Sequence, residues 1–269
     1  MRIATWNVNS VLARLPRLTA WLADIRPDVV CLQETKVPDE DFPGAEIEKL
    51  GYRIAAFGKG RWNGVAILSL AGLDDVTRGF AAEPGFPDPE PRAIAATCQG
   101  IRVWSVYVPN GRALDSPHLR YKLDWLAAMR AAVAEDIARH QGGPLALCGD
   151  FNIAPSDRDV WDPAAFIGST HVSPPERASL QDLLSLGLTD IRPRSLKGPE
   201  PFTYWDYRAG MFHKGMGMRI DLVLVTAPLA AEVSDAYVDR EARKGKAPSD
   251  HAPIVVDVDL PPGPRVGTP

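Results

Sequence analysis

Leu147-Cys148-Gly149-Asp150-Phe151-Asn152-Ile153-Ala154-Pro155 is the stretch from which the rest of the chain is read. The apolar run 145–148 predicts a buried strand, and the glycine, acid and amide that follow it end that strand. Asp150 and Asn152 therefore stand just beyond a strand end. Rigid scaffolds present functional groups at such places, and Pro155 fixes the exit of the loop. An Asp-x-Asn is equally the composition of a capping turn, so its meaning depends on what else converges on it.

Other strand ends carry polar groups too. Residues 2–8 alternate as a strand and leave through Asn7-Val8-Asn9-Ser10. Leu15, Leu18, Leu22 and Ile25 repeat at helical spacing, with Pro16 in a first turn and Pro27 as the stop. Residues 28–34 predict a second buried strand, ending in Gln33-Glu34. A short helix is expected at 38–50, closed by Gly51, then strands at 52–57 and 65–70. The proline-dense segment 83–92 predicts a stiff surface loop, because proline cannot pair within a central strand. A hairpin follows, with strands 93–98 and 101–108 joined at Gln99-Gly100, and its second strand ends in Tyr107-Val108-Pro109-Asn110-Gly111.

Ser116-Pro117 starts a helix whose apolar stripe is Leu119, Leu123, Leu126, Val133 and Ile137, and Gly142-Gly143 ends it. After the Asp150 loop comes a helix at 176–186, stopped by Gly187. An aromatic and basic stretch without periodicity follows at 202–217, then strands at 219–225 and 253–258. The last strand follows Ser249-Asp250-His251, and the tail from Pro261 is expected to fray. Strand runs outnumber helices, and the helices come singly between groups of strands. That pattern predicts an α+β sandwich of two packed sheets with helices outside, as one domain over residues 1–260.

A net charge of −4 and a pI near 5.8 mean that an anionic partner must be met by a local basic face. Cys31, Cys98 and Cys148 each lie in an apolar run without metal-ligand spacing, which predicts buried thiols in a reducing cytoplasm. No segment is long and apolar enough to span a bilayer, and the N-terminus lacks the pattern of a secretory signal, so no membrane partner is expected.

The polar residues at strand ends are Asn7, Glu34, Tyr107, Asn110, Asp150, Asn152, Asp221, Asp250 and His251. On one rim, the acids among them would repel unless a cation or a histidine neutralised them. Oxygen ligands suit Mg2+ or Mn2+, and the lack of a Cys/His cluster disfavours zinc. Such a site fits phosphodiester hydrolysis, with a metal on Glu34, a base at Asp150, and donors from Asn7, Asn152, Tyr107 and His251. Each residue also has a plainer reading: Tyr107 as a buried strand tyrosine, His251 as a satisfied histidine at a strand start, Asp221 as a turn acid.

Taken together the segments resemble the exonuclease III family of apurinic/apyrimidinic endonucleases, within the endonuclease/exonuclease/phosphatase superfamily. The resemblance is carried by Trp6-Asn7-Val8-Asn9-Ser10, Leu32-Gln33-Glu34-Thr35-Lys36, Asn63-Gly64-Val65-Ala66-Ile67, Tyr107-Val108-Pro109-Asn110-Gly111, Gly149-Asp150-Phe151-Asn152, Trp205-Asp206-Tyr207-Arg208, Arg219-Ile220-Asp221 and Ser249-Asp250-His251-Ala252-Pro253, in the family's order. It implies a four-layered αββα sandwich of two mixed β-sheets flanked by helices (DNase I-like), and a monomer acting on double-stranded DNA at abasic sites and 3′ ends.

Carried over by position, the resemblance puts the metal on Glu34, with Asn7 and Asp250 close by. Asp150 and Asn152 orient or activate the water and belong to the same ligand set. Tyr107 and His251 contact the phosphate, Asp221 pairs with the histidine, and Asn110 joins that shell. Tyr204, Met218 and Ile220 match the positions of a pocket for a base-less sugar, and Trp205 and Arg208 lie in the same substrate-contacting segment. Arg208, His213, Lys214, Arg219, Arg240, Arg243, Lys244 and Lys246 are expected either to meet the DNA backbone or to be ordinary solvated loop charge. Two rivals stay open: a same-fold phosphoesterase on a non-nucleic substrate, and a catalytically silent DNA-binding protein.

Overall fold

The computed structural model describes residues 1–80 and 90–260. The predicted loop at 83–92 thus lies outside the described residues except for its last three positions, and the tail from Pro261 lies outside them altogether. The strands are β1 (Arg2–Asn7), β2 (Val29–Gln33), β3 (Arg53–Phe57), β4 (Val65–Ser69), β5 (Asp74–Arg78), β6 (Ala93–Cys98), β7 (Ile101–Tyr107), β8 (Leu145–Asp150), β9 (Leu188–Asp190), β10 (Arg194–Ser195), β11 (Asp221–Thr226), β12 (Val233–Val238) and β13 (Ile254–Val258). The main helices are α1 (Val11–Ile25), α2 (Gly44–Glu48), α3 (Pro117–Arg139) and α4 (Pro174–Leu184). One sheet runs β10-β12-β13-β1-β2-β4-β3 and the other β5-β6-β7-β8-β11-β9.

The two sheets stack face to face. Ile3, Val29, Cys31 and Ile67 of the first meet Ile94, Val103, Cys148 and Val223 of the second. Alternate residues point outward: Trp6, Val30, Leu32 and Leu68 pack under Leu18, Trp21 and Leu22 of α1. On the far side Trp104, Leu147 and Leu222 pack under Trp125, Met129 and Val133 of α3 and Leu180 of α4. The central strands are therefore buried on both faces, which is why they read as unbroken apolar runs. This is the expected αββα sandwich of two mixed sheets, and all three cysteines are free and buried.

Each sheet has a parallel pair at its centre, β1 with β2 across α1 and β7 with β8 across α3. Four strand C-termini consequently open on the rim where the antiparallel partners β11 and β13 begin.

Several boundaries differ from the sequence reading. Helix α1 begins at Val11, capped by the Ser10 hydroxyl, which accepts from the Ala13 N–H at 3.3 Å. Pro16 therefore sits inside the helix, and the Leu12 carbonyl lacks its usual helical partner. The expected helix at 38–50 shrinks to a single turn of 3-10 helix and the short α2. The edge strands β5, β9 and β10 lie outside every predicted strand, because edge segments carry little apolar patterning, and so does the interior strand β12, whose residues are mostly only partly buried.

The buried face of α3 is also rotated from the predicted stripe. It includes Lys122, Trp125, Met129 and Asp136, while Leu123 and Ile137 stand at its margin. Lys122 pairs with Glu176 of α4 at 2.5 Å, and Asp136 with Arg102 of β7 at 2.7 Å. Buried charges need partners, and here the partners come from distant segments.

Arg219 lies just before β11, which starts at Asp221. Its Nε donates to Asp159 Oδ1 at 2.7 Å, and its two terminal nitrogens to the Asp190 carboxylate at 2.9 and 2.8 Å. It is a buried anchor and not a DNA-contacting side chain. Burial alone would raise the Asp159 pKa, but Arg219, Ser156 and Arg192 outweigh it and hold the carboxyl below its ordinary 3.8. A depressed carboxyl stabilises the fold above the unfolded value, and that contribution is lost as pH falls through and below it. Thermal unfolding followed by circular dichroism should show the midpoint dropping below about pH 4. Asp159→Asn should cost roughly 3 kcal/mol at pH 7 and flatten that acid limb.

Candidate active site

Strand register assembles the rim. Tyr107 at the end of β7 lies beside Asp150 at the end of β8, and Asp150 lies opposite Asp221 at the start of β11. In the other sheet Asn7 is the register partner of Gln33, and Glu34 follows at once. Gly149 is required by close approach, since a Cβ there would fall 1.9 Å from the Val106 carbonyl oxygen. Glu34 (φ 53) and Asn152 (φ 50) leave their strands through left-handed backbone. Such a residue costs about 1 kcal/mol or more and persists only where its surroundings hold it.

Those surroundings are hydrogen bonds. The Asn7 amide nitrogen donates to Glu34 Oε1 at 2.8 Å and to Asp150 Oδ2 at 3.0 Å, joining the two sheets. Lys36 Nζ lies 2.7 Å from Glu34 Oε2 and donates to Asn9 Oδ1 at 2.5 Å, while the Asn9 amide donates to Asp250 Oδ1 at 3.0 Å. His251 Nδ1 is 2.8 Å from Asp221 Oδ2, and its Nε2 is 3.8 Å from Asp150 Oδ2. The Asn152 N–H donates to Asp150 Oδ1 at 2.9 Å, and its side-chain amide donates to the Val108 carbonyl at 3.0 Å. Asn110 donates to Asn152 Oδ1 at 3.2 Å. From below, Lys122 Nζ donates to the Asn152 carbonyl at 2.6 Å.

Burial sets the electrostatics. It raises the Asp150 pKa to about 7; His251 opposes the rise, and Asp221 and Glu34 add to it. Burial works against the charged form of His251, but the Asp221 and Asp150 carboxylates prevail and lift it to about 10. Glu34 goes the other way: burial would raise it, yet Lys36 and the Asn7 amide hold it below its ordinary value. Tyr107 stays a phenol, pushed well up by burial and by Glu34 and Asp150. At neutral pH the rim thus presents an ionised Glu34, an Asp150 near its titration point and an imidazolium.

Glu34, Asp150 and His251 each offer one atom within 4.8 Å of the others. Of the three, the imidazole is the group already flanked by carboxylates, its Nδ1 against Asp221 and its Nε2 facing Asp150. What remains is a pair of carboxylates bridged by an amide, a donor set that fits a hard divalent cation. Asp250 stands outside that trio, tied to Asn9, and the Asn152 carboxamide is committed to Val108 and Asn110.

Beside the rim lies a cleft of about 490 Å³, lined by Tyr204, Met218, Trp161, Phe166 and His171. The Tyr204 ring centroid is 5.0 Å from that of His251. Ile220 does not line this cleft; it is buried beneath it with Ala154 and Val160. Trp205 is likewise a correction, since its ring packs edge-on against Phe212 at 5.1 Å in the inter-sheet core. An aromatic segment without periodicity offers no way to tell an inward ring from an outward one. Arg208 is exposed, its guanidinium held by Asp206. Asn9, Lys36, His171 and Lys122 were assigned no role from sequence. Asn9 and Lys36 lie in the turns just after β1 and β2, a signal that was available, whereas nothing local marks His171 or Lys122.

Two sheets that present bridged carboxylates beside an imidazolium form the site of a metal-dependent phosphoesterase. Comparison with known proteins gives the same class: the sequence profile of the Endonuclease/Exonuclease/phosphatase family matches residues 4–251. Exodeoxyribonuclease III of Haemophilus influenzae is 31% identical over 94% of this chain and 98% of its own length. The 3′-5′ exonuclease NExo from Neisseria meningitidis superposes with a TM-score of 0.91 at 44% identity, covering 97% of this chain and all of its own. A further structure of NExo, described as a 3′ phosphatase, is bound to a product DNA hairpin. An AP endonuclease from Archaeoglobus fulgidus superposes with a TM-score of 0.90 at 36% identity, over 97% of this chain and 100% of its own. The chain belongs to the exonuclease III/AP endonuclease family, whose members depend on divalent metals.

Asn7→Ala removes the one amide shared by Glu34 and Asp150. Manganese affinity, measured by calorimetry, is expected to fall about 10- to 100-fold, the usual scale for losing a group that orients metal ligands.

Proposed function

We propose that the protein is a DNA-repair nuclease that hydrolyses phosphodiester bonds in duplex DNA, incising at abasic sites and clearing 3′ ends in the cytoplasm. The observation that carries this reading is Asp150, a buried carboxyl that accepts from the Asn7 amide at 3.0 Å and the Asn152 N–H at 2.9 Å and lies 3.8 Å from the His251 imidazole. A general base works best when its pKa lies near the working pH. Asp150 accepts the proton of the attacking water, and the Asn152 N–H keeps its carboxylate in one rotamer. His251, locked by Asp221, directs Nε2–H at a non-bridging phosphate oxygen, and the Tyr107 hydroxyl donates from the neighbouring strand. Glu34 and Asp150, with Asn7 and Asp250 nearby, would hold a magnesium or manganese ion, which would supply Lewis-acid neutralisation of charge on the phosphate.

Two features favour DNA over a smaller phosphoester. The cleft walled by Tyr204 and Met218 opens beside His251 and has the apolar lining that a deoxyribose without its base would need. The relatives named above are nucleases, and one was captured on a DNA product. Duplexes carrying either a central abasic site or a 3′-phosphate test the proposal. Magnesium-dependent incision or phosphate release is expected, abolished by EDTA and reduced at least about 100-fold by Asp150→Asn. Products that are indifferent to EDTA and to Asp150→Asn, or turnover of inositol phosphates with none on DNA, would sink it.

A further inference from the structure

Behind the rim, a second cleft of about 420 Å³ has Tyr207, Phe212, His213, Arg243 and Lys244 on its walls. Arg243 is only 6% exposed, with its guanidinium 5.0 Å from the centroids of both the Tyr207 and Phe212 rings. Of its donors, one terminal nitrogen reaches the Trp205 carbonyl at 3.3 Å, and Nε is buried without a partner. The Nε atoms of Arg14 and Arg240 are in the same condition. Among the described residues Arg243 has no carboxylate within ion-pair distance, a condition it shares with exposed arginines such as Arg53 and Arg61; what sets it apart is that it is buried and its Nε has no partner. Asp206, the carboxylate on the cleft wall, is held by Arg208.

A buried guanidinium with no carboxylate in contact is costly, and stacking between two rings and the more distant Asp250 carboxylate offset only part of that cost. The cleft is also wired to the reaction rim. Arg14 donates to the Tyr207 hydroxyl at 2.9 Å, and Asn9 donates to that hydroxyl at 3.4 Å and to Asp250 Oδ1 at 3.0 Å. A strand whose scissile phosphate lies against His251 would pass this way.

We infer that the Arg243 cleft is a second phosphate site, which takes a backbone phosphodiester of the bound DNA adjacent to the scissile one, with Arg243, His213 and Lys244 as its cationic groups and Arg14 holding Tyr207 in place beside it. The assignment rests on the nuclease reading and adds to it the residues that position the strand. His213 and Lys244 stand on its walls, so the contact is electrostatic and indifferent to base sequence.

The test is a thermodynamic cycle. Asp150→Asn protein, which binds without turning over, is titrated by fluorescence anisotropy with duplexes carrying one neutral methylphosphonate at successive positions around the scissile bond. One position outside the scissile phosphate should weaken binding about 5-fold or more, and adding Arg243→Met should erase that loss. Arg243→Met should also lower the slope of log affinity against log salt by about 0.9, the contribution of one phosphate contact. If Arg243→Met does not fold, Arg243→Gln carries the same cycle, since it removes the charge and keeps a polar side chain that can still donate to the Trp205 carbonyl. Losses that add independently at every position, with an unchanged salt slope, overturn the site and leave the nuclease reading standing. No binding or cleavage of DNA by the unmutated protein overturns both.

Discussion

The Asn7 amide is the group on which the catalytic rim depends. Glu34 follows a strand of one sheet and Asp150 ends a strand of the other, and a partly buried and a buried carboxylate brought together by sandwich packing repel each other. A single carboxamide that donates to both, at 2.8 and 3.0 Å, converts that repulsion into a bridge. Everything else at the rim answers to the same constraint. Lys36 neutralises Glu34 from the solvent side, and the His251–Asp221 pair sets an imidazolium beside Asp150. A divalent cation held by Glu34 and Asp150 would complete the balance that the protein groups leave partly open.

Holding this arrangement takes a layer of buried polar contacts beneath it. Lys122 reaches from α3 to the Asn152 carbonyl while its charge is met by Glu176 of α4, so the catalytic loop is tied to both outer helices. Arg219 does the same for the start of β11, clamping Asp159 and Asp190 immediately before the strand that carries Asp221. These pairs carry a desolvation penalty, and their use is positional: loops with left-handed residues at Glu34 and Asn152 are kept in one geometry. The two clefts differ in kind. The one beside His251 has Tyr204, Met218, Trp161 and Phe166 on its walls, whereas the one behind Tyr207 sets Arg243, Lys244 and His213 beside the Tyr207 and Phe212 rings.

The central strands were legible because their burial on both faces leaves a continuous apolar run, as at residues 29–32 and 145–148. Edge strand β5, with the sequence DDVTR, carries no such run and escaped. Asn7, Glu34, Tyr107, Asp150, Asp221 and His251 were all named from strand ends, and hydrogen bonds, register or close approach join them in the fold. Trp205 and Arg219 were misread for one reason. An aromatic or a cation in an irregular loop can face solvent or core, and its neighbours in sequence do not say which.

By itself the sequence determined the layered sandwich, the polar groups at its strand ends and the chemistry those groups suit, because strand periodicity and side-chain type are local properties. Only the tertiary structure decided the protonation of that chemistry. Asp150 rises towards neutrality and His251 keeps its proton because both are desolvated next to charges that arrive from other strands. The same holds for the unpaired Arg243. Which charges are buried, and beside what, is fixed by packing between segments that are distant in the chain, and no local pattern encodes it.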